Sequence, residues 1–228
     1  MQNEVGVDVN DYLIKEEEYF RHTRLDLIGL IPVDRNNRLL EIGAAGGDSL
    51  IEIKRKKLAQ ECVGLELFAL EKSNQHHPLI DKMIFANIEH DKVDLPLDYF
   101  DVIICGDVLE HLVDPWKTLE RITTWLKPGG VIIISTPNFR FIGVMKRIFF
   151  QGNFEYQTSG IMDKTHMRFF CKPNVIELAN TGSLNLEKIY SSIQLQKLPQ
   201  LNFFSKFTLG LFKDFFTPQY ITVSRKLN

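Results

Sequence analysis

Arg38-Leu-Leu-Glu-Ile-Gly-Ala-Ala-Gly-Gly-Asp48 is the stretch that decides the fold. Its apolar residues run straight into a glycine-rich turn, and residues 49–60 beyond it read as a basic helix. A strand buried on both faces reads without alternation because it has no solvent face. Four more short apolar runs follow: residues 61–67, 83–86, 100–106 and 131–136. Helical patterns are expected between them, as at residues 115–126. Strand–helix alternation predicts an α/β fold with a doubly wound, mostly parallel sheet and an antiparallel last strand.

The flanks read differently. After a polar start, residues 11–30 have helical spacing, stopped by Pro32. Leu126-Lys-Pro-Gly-Gly130 is a turn that stops one helix and starts a strand. Residues 139–150 read as a helix, 151–171 as irregular, 173–181 as a short helix stopped by Gly182, and 184–193 as a strand. A Phe-rich helix is expected over 201–216 and a closing strand over 219–226. The organisation is one domain over 1–228. A helical and irregular insertion at 139–172 lies on the acceptor side, and a Phe-rich helical segment at 195–217 precedes the last strand.

The 228 residues are 44% hydrophobic and 25% charged, with a net charge of −2. A chain of this size buries a core without staples. It has no basic excess to neutralise a phosphate backbone, so nucleic acid is not an expected partner. Cys62, Cys105 and Cys171 form no C-x-x-C pair, which argues against zinc or disulfides and fits a reducing cytoplasm. No secretory leader pattern opens the sequence, and no run reaches the ~18 apolar residues of a spanning helix. The expected location is cytoplasmic.

Two ligand readings of the turn compete: a phosphate-bearing dinucleotide, and a nucleoside cofactor without phosphates, which needs no phosphate cradle. A dinucleotide wants Gly-x-Gly-x-x-Gly, so that a pyrophosphate can rest on the helix N-terminus. Here position 45 is Ala, and Gly43, Gly46 and Gly47 are spaced otherwise. Glu41 repels a phosphate but can hold an ammonium. The third reading is a tight strand–helix turn with no ligand. Glu66 ends the second run, where a carboxylate suits the hydroxyls of a ribose.

Together these motifs resemble the class I S-adenosylmethionine-dependent methyltransferases. Leu40-Glu-Ile-Gly-Ala-Ala-Gly46 resembles that family's first motif, residues 100–115 its fourth-strand motif, and residues 126–138 its fifth. The resemblance implies a Rossmann-like sheet with S-adenosyl-L-methionine as cofactor and S-adenosyl-L-homocysteine as product. Glu41, Gly43, Ala44, Ala45 and Gly46 would line the methionine part. Glu66, with Leu67, would hold the ribose. Asn87 and Ile88 would flank the adenine, and Phe68 would stack on it. Gly106 would offer its carbonyl to the cofactor amino group, beside Asp107 and Leu109. Relatives usually carry Asp at position 87, and Asn can still accept through its amide oxygen.

Methyl transfer to a hydroxyl needs a base. His111 follows Asp107 by one helical turn and resembles the Glu-His pair of this class, as base or as a residue shaping the pocket. His166 lies in Gly160-Ile-Met-Asp-Lys-Thr-His-Met-Arg-Phe-Phe170. It reads either as base, held by Asp163 or Arg168, or as a buried member of a loop network. No metal is expected, since Asp107 and His111 alone are too few ligands. Asn/Asp-Pro-Pro-aromatic, the mark of amino-group methylation, is absent after residue 106, and Cys105 reads as core rather than nucleophile. Oxygen methylation remains.

The 160–170 segment resembles a bacterial methyltransferase subfamily that accompanies surface-polysaccharide genes, which implies a sugar or sugar-containing acceptor. A small phenol or carboxylate is the alternative acceptor. The sequence counts 17 Phe, many of them late. The stripes Phe141–Phe149 and Phe204–Phe215 carry basic neighbours. They read as cover for the acceptor pocket, as a homodimer interface, or as peripheral contacts with a membrane. A catalytically silent partner protein of the same fold is the competing functional reading.

Overall fold

The computed structural model describes residues 23–195 and 213–228. Seven strands form one sheet: β1 (Arg38–Ile42), β2 (Glu61–Glu66), β3 (Lys82–Phe85), β4 (Phe100–Gly106), β5 (Leu126–Pro137), β6 (Leu184–Ser191) and β7 (Gln219–Lys226). Their order is β3-β2-β1-β4-β5-β7-β6. β1 pairs in parallel with β2 and β4, β2 with β3, and β4 with β5. β7 runs antiparallel between β5 and β6. Strand order reverses between β1 and β4, so their carboxyl ends open a crevice.

The described helices are α1 (Leu25–Ile28), α2 (Asp48–Arg55), α3 (Pro115–Trp125), α4 (Ile142–Gln151), α5 (Lys172–Leu178), α6 (Ser192–Leu195) and α7 (Lys213–Phe216). The unbroken apolar runs resolve into two faces of the sheet. Leu40, Ile42, Ile103, Cys105, Ile132 and Ile134 form one core with residues of α3 and α5. Leu39, Val102, Ile104, Val131 and Ile133 form the other with residues of α1 and α2. Leu119 of α3 is fully buried in the first core. Leu119→Ala is therefore expected to cost ~2–5 kcal/mol in a urea titration. The start of α3 is set locally: Pro115 opens it, and the Asp114 side chain accepts from Lys117 N at 3.0 Å.

Several boundaries differ from expectation. The basic helix closes at Arg55 rather than residue 60, followed by Lys57 at φ +55°. Residues 67–81 and 86–99 are turns, not helices. Pro78 and Pro96, among Asn, His and Asp, favour turns there. Phe100 pairs with Leu126 and Val102 with Val131, so where a turn was expected β5 starts at once and bulges over residues 127–130, with Gly129 at φ +75°. β6 stops at Ser191, where α6 begins.

On α4 only Val144 is buried, while Phe149 and Phe150 are exposed at 76% and 83%. The stripe expected to cover the acceptor pocket thus leaves Phe149 in solvent, and none of residues 141–149 lines the cavity described below. Of the helices expected over 11–30 and 201–216, the described residues give α1, which ends at Ile28 rather than residue 30, and α7; residues 11–22 and 201–212 lie outside the described residues. Among the described residues no helix is long and apolar enough to cross a membrane.

Candidate functional site

A cavity of about 530 Å³ lies at the carboxyl ends of β1, β2 and β4. Glu41, Gly43, Ala44 and Ala45 line it from the first turn. Glu66, Leu67 and Phe68 line it from the end of β2, Asn87 and Ile88 from beyond β3, and Gly106 and Asp107 from the end of β4. Gly46 and Leu109 stand off this wall. The Gly46 carbonyl accepts from Asn74 N at 2.9 Å, and Leu109 is fully buried in the core.

The turn is shaped by left-handed backbone at alternate positions: Gly43 at φ +70°, Ala45 at +45° and Gly47 at +85°. Gly46 is not among them. A Cβ at Gly43 would overlap Val108 Cγ2, and one at Gly47 would lie 2.7 Å from Ile80 Cδ1. Ala45 bears the left-handed conformation with a Cβ, at a cost of ~1–2 kcal/mol. Its N–H donates to Glu66 Oε2 at 2.7 Å, and Leu67 N donates to Glu66 Oε1 at 2.7 Å. Glu66 thus ties the turn after β1 to the end of β2. Each of its oxygens keeps a further lone pair for a hydroxyl donor.

Glu41 occupies a position of β1 that alternation assigns to the core beside Leu39. It is 6% exposed, and its Oε2 has no hydrogen-bond partner. Burial lifts its carboxyl to about 8; Arg24 attracts it downward, while Glu66 and Asp48 repel it upward. A carboxyl raised this way is protonated in the folded chain and ionised in the unfolded one between about pH 4.5 and 8. Its contribution to folding is present at low pH and is lost as pH rises through 8. A bound ammonium would ionise it. S-adenosylhomocysteine binding at neutral pH is accordingly expected to release a proton. Glu41→Gln removes that release, and calorimetry in buffers of different ionisation enthalpy reads it.

Sequence reasoning missed Arg24, Asp48, Ser49 and Val108, which also line the cavity. Arg24 pairs with Asp107 and Asp26 and donates to Ser135 Oγ at 3.1 Å. Asp107, at φ +56°, also accepts from Ser135 Oγ and Gln219. Nothing local marks Arg24, because Asp107 and Ser135 are remote in sequence. Asn87 differs from expectation in one respect. Its Oδ1 accepts from Glu89 N at 2.9 Å, so the oxygen expected to receive the adenine amino group already closes a turn.

The acceptor-side residues meet behind one edge of the cavity. His111 is on the wall; His166, Asp163 and Arg168 are not. The His111 and His166 rings pack edge to face with centroids 4.7 Å apart. His111 Nδ1 lies 3.1 Å from both the carbonyl and Oγ1 of Thr165. Asp163 Oδ1 accepts from Thr165 N at 2.9 Å and from Thr165 Oγ1 at 2.7 Å. His166 Nδ1 sits 3.0 Å from the Ile161 carbonyl, and its Nε2 is 4.0 Å from Glu110 Oε1. The Arg168 guanidinium donates to the Val113 carbonyl rather than to Asp163 or His166. Asp163 therefore braces Thr165, which holds His111, and Arg168 fastens the segment to the loop before α3.

The chain is 31% identical over 123 residues to the mitochondrial ubiquinone biosynthesis O-methyltransferase of Schizosaccharomyces pombe, covering 50% of this chain and 44% of that protein. It is 29% identical over 133 residues to trans-aconitate 2-methyltransferase of Rhodopseudomonas palustris, covering 58% and 50%. It thus spans about half the length of these curated relatives.

Among solved structures, a SAM-dependent methyltransferase from Archaeoglobus fulgidus superposes with a TM-score of 0.61 at 19% identity, covering 92% of this chain and 97% of that one. A chain from the complex of the Haloferax volcanii Trm112 methyltransferase activator with a methyltransferase gives 0.66 at 15% identity, covering 97% and 95%. These likenesses show the class I SAM-dependent methyltransferase fold. Residues 12–181 match the family described as "Methyltransferase domain", and the chain belongs to it.

Proposed function

We propose that this chain transfers a methyl group from S-adenosylmethionine to a hydroxyl oxygen of a sugar or sugar-containing acceptor. The observation that carries the cofactor reading is Glu41, a buried carboxylate with an orphaned oxygen on the cavity wall. It suits an ammonium, which would ionise it, and offers a phosphate no cationic partner. The cavity falls within the ~300–1,000 Å³ of small-molecule sites. The cofactor, when bound, supplies an electrophilic methyl on a sulfonium. Glu41 then binds the amino group, and Glu66 accepts from the ribose hydroxyls. Gly43 leaves room for close approach, and Phe68 and Ile88 offer apolar contact to the base.

The acceptor hydroxyl must lose its proton as the oxygen–carbon bond forms. Of the two histidines expected in this role, His111 is the one that reaches the cavity wall. Its imidazole takes the proton directly or holds a cation that acidifies the hydroxyl, and its neighbours decide between these. Support for a sugar acceptor is the resemblance of the 160–170 segment. The names of the curated relatives make a small phenol or a carboxylate the second acceptor class.

The test has two arms. Calorimetric titration with S-adenosylhomocysteine should give micromolar binding that Glu66→Ala weakens ~10-fold or more, about 1.4 kcal/mol. Transfer of labelled methyl should then be seen with sugars ahead of phenols and carboxylates. No binding at millimolar ligand removes the methyltransferase reading and favours the silent partner. Turnover confined to phenols or carboxylates removes the sugar.

A further inference from the structure

Three groups behind the cavity edge are arranged more like ligands than like a base and its support. One donor atom each from Glu110, His111 and His166 lies within 4.8 Å of the other two. Glu110 is 1% exposed, and its Oε2 has no hydrogen-bond partner among the described residues. A buried carboxylate oxygen left this way is costly unless something completes it. Both imidazoles are oriented alike. Each turns Nδ1 to a backbone carbonyl, Thr165 for His111 and Ile161 for His166. A carbonyl can only accept, so Nδ1 carries the proton and Nε2 is the basic nitrogen. That is the arrangement that outer contacts impose on metal-bound histidines.

His166 Nε2 stands 4.0 Å from Glu110 Oε1. This is too long for a hydrogen bond and about 0.6 Å wider than two ligands ~2.1 Å from one tetrahedral centre, so a cation would draw the two side chains slightly together. Asp163 fixes Thr165, and through it the His111 ring.

We propose that Glu110, His111 and His166 bind one first-row divalent cation, with the acceptor hydroxyl as a further oxygen ligand on the cavity side. A two-imidazole, one-carboxylate set favours zinc, iron, cobalt or manganese over magnesium or calcium. His111 then acts as a ligand, and the cation acidifies the hydroxyl. The proton passes to solvent as the oxygen–carbon bond forms and the carbon–sulfur bond breaks. An acceptor with vicinal hydroxyls, as sugars carry, is the class that chelates such a centre. This inference rests on the methyl-transfer reading for its acceptor, but the cation site itself does not require it.

The experiment uses the full chain stripped with a chelator. Cobalt(II) titration is followed by visible absorption and zinc titration by calorimetry. One saturable site is expected, with cobalt bands stronger than those of the hexaaqua ion. Glu110→Gln and His166→Ala should each weaken binding ~100-fold or more, beyond the ~10–100-fold typical of outer-contact losses. S-adenosylhomocysteine titration of the same samples reports whether each variant is folded, and one folded variant suffices. No saturable binding by the parent protein overturns the proposal. So does binding that survives in a folded variant, since it would then belong to other groups such as the adjacent His76 and His77. Cofactor binding without cation binding sinks this inference alone. Cation binding without cofactor binding sinks the methyl-transfer reading and leaves the cation site standing.

Discussion

Gly43→Asp should abolish cofactor binding, lowering S-adenosylhomocysteine affinity ~100-fold or more, about 2.7 kcal/mol. Three effects act together. Residue 43 sits at φ +70°, where a side chain adds ~1–2 kcal/mol of strain. Its Cβ overlaps Val108 Cγ2 on the cavity wall. A carboxylate there also opposes the ionisation of Glu41 that a bound ammonium requires, a carboxyl burial already raises to about 8. Gly43→Ala separates the steric part from the charge. It should weaken binding less, and a thermal melt on each variant separates lost binding from lost folding. Retention of parental affinity by folded Gly43→Asp would place the cofactor elsewhere.

The second large effect concerns turnover rather than binding. His111→Ala should lower kcat ~10²–10⁴-fold, the range for removing a group that manages the acceptor proton. S-adenosylhomocysteine affinity should change only a few-fold, because the cofactor's proposed polar contacts are Glu41, Glu66 and Gly106. Thr165→Val tests how His111 is positioned. It keeps the imidazole but deletes the hydroxyl that links it to Asp163. Thr165→Val should lower kcat and shift its pH profile while KM for the acceptor moves little. A His111→Ala enzyme with parental kcat would remove the residue from the chemistry.

Much of the frame was legible because the central strands are covered on both sides. Residues 38–42 and 100–106 have no polar alternation, and the sheet places odd and even positions of 39–42 and 102–105 in separate cores. The acid at position 41 stood out against this background. Helix bounds were less legible, since Lys57 in a left-handed conformation stops α2 five residues before the basic pattern does. The connections over 67–81 and 86–99 follow turn chemistry that the strand–helix rhythm masked. The cavity wall was readable where short motifs end strands. Arg24 was not, since it acts through Asp107 and Ser135, far along the chain. Ala45 reads as a lapse in a glycine motif, yet it takes the same left-handed backbone as Gly43 and Gly47. Glu110 gave no sign on its own, because its meaning depends on His166 arriving from an irregular segment.

The place of β7 has a consequence for biogenesis. It follows β6 in sequence but lies between β5 and β6, so β6 has no strand partner and β5 only β4 until residues 219–226 are made. On the ribosome, β5 offers an open apolar edge through the synthesis of everything between. Such an edge is a template for pairing with another nascent chain. Chaperone dependence and inclusion-body yield should therefore respond more to substitutions in β7 than to equally destabilising ones in β2.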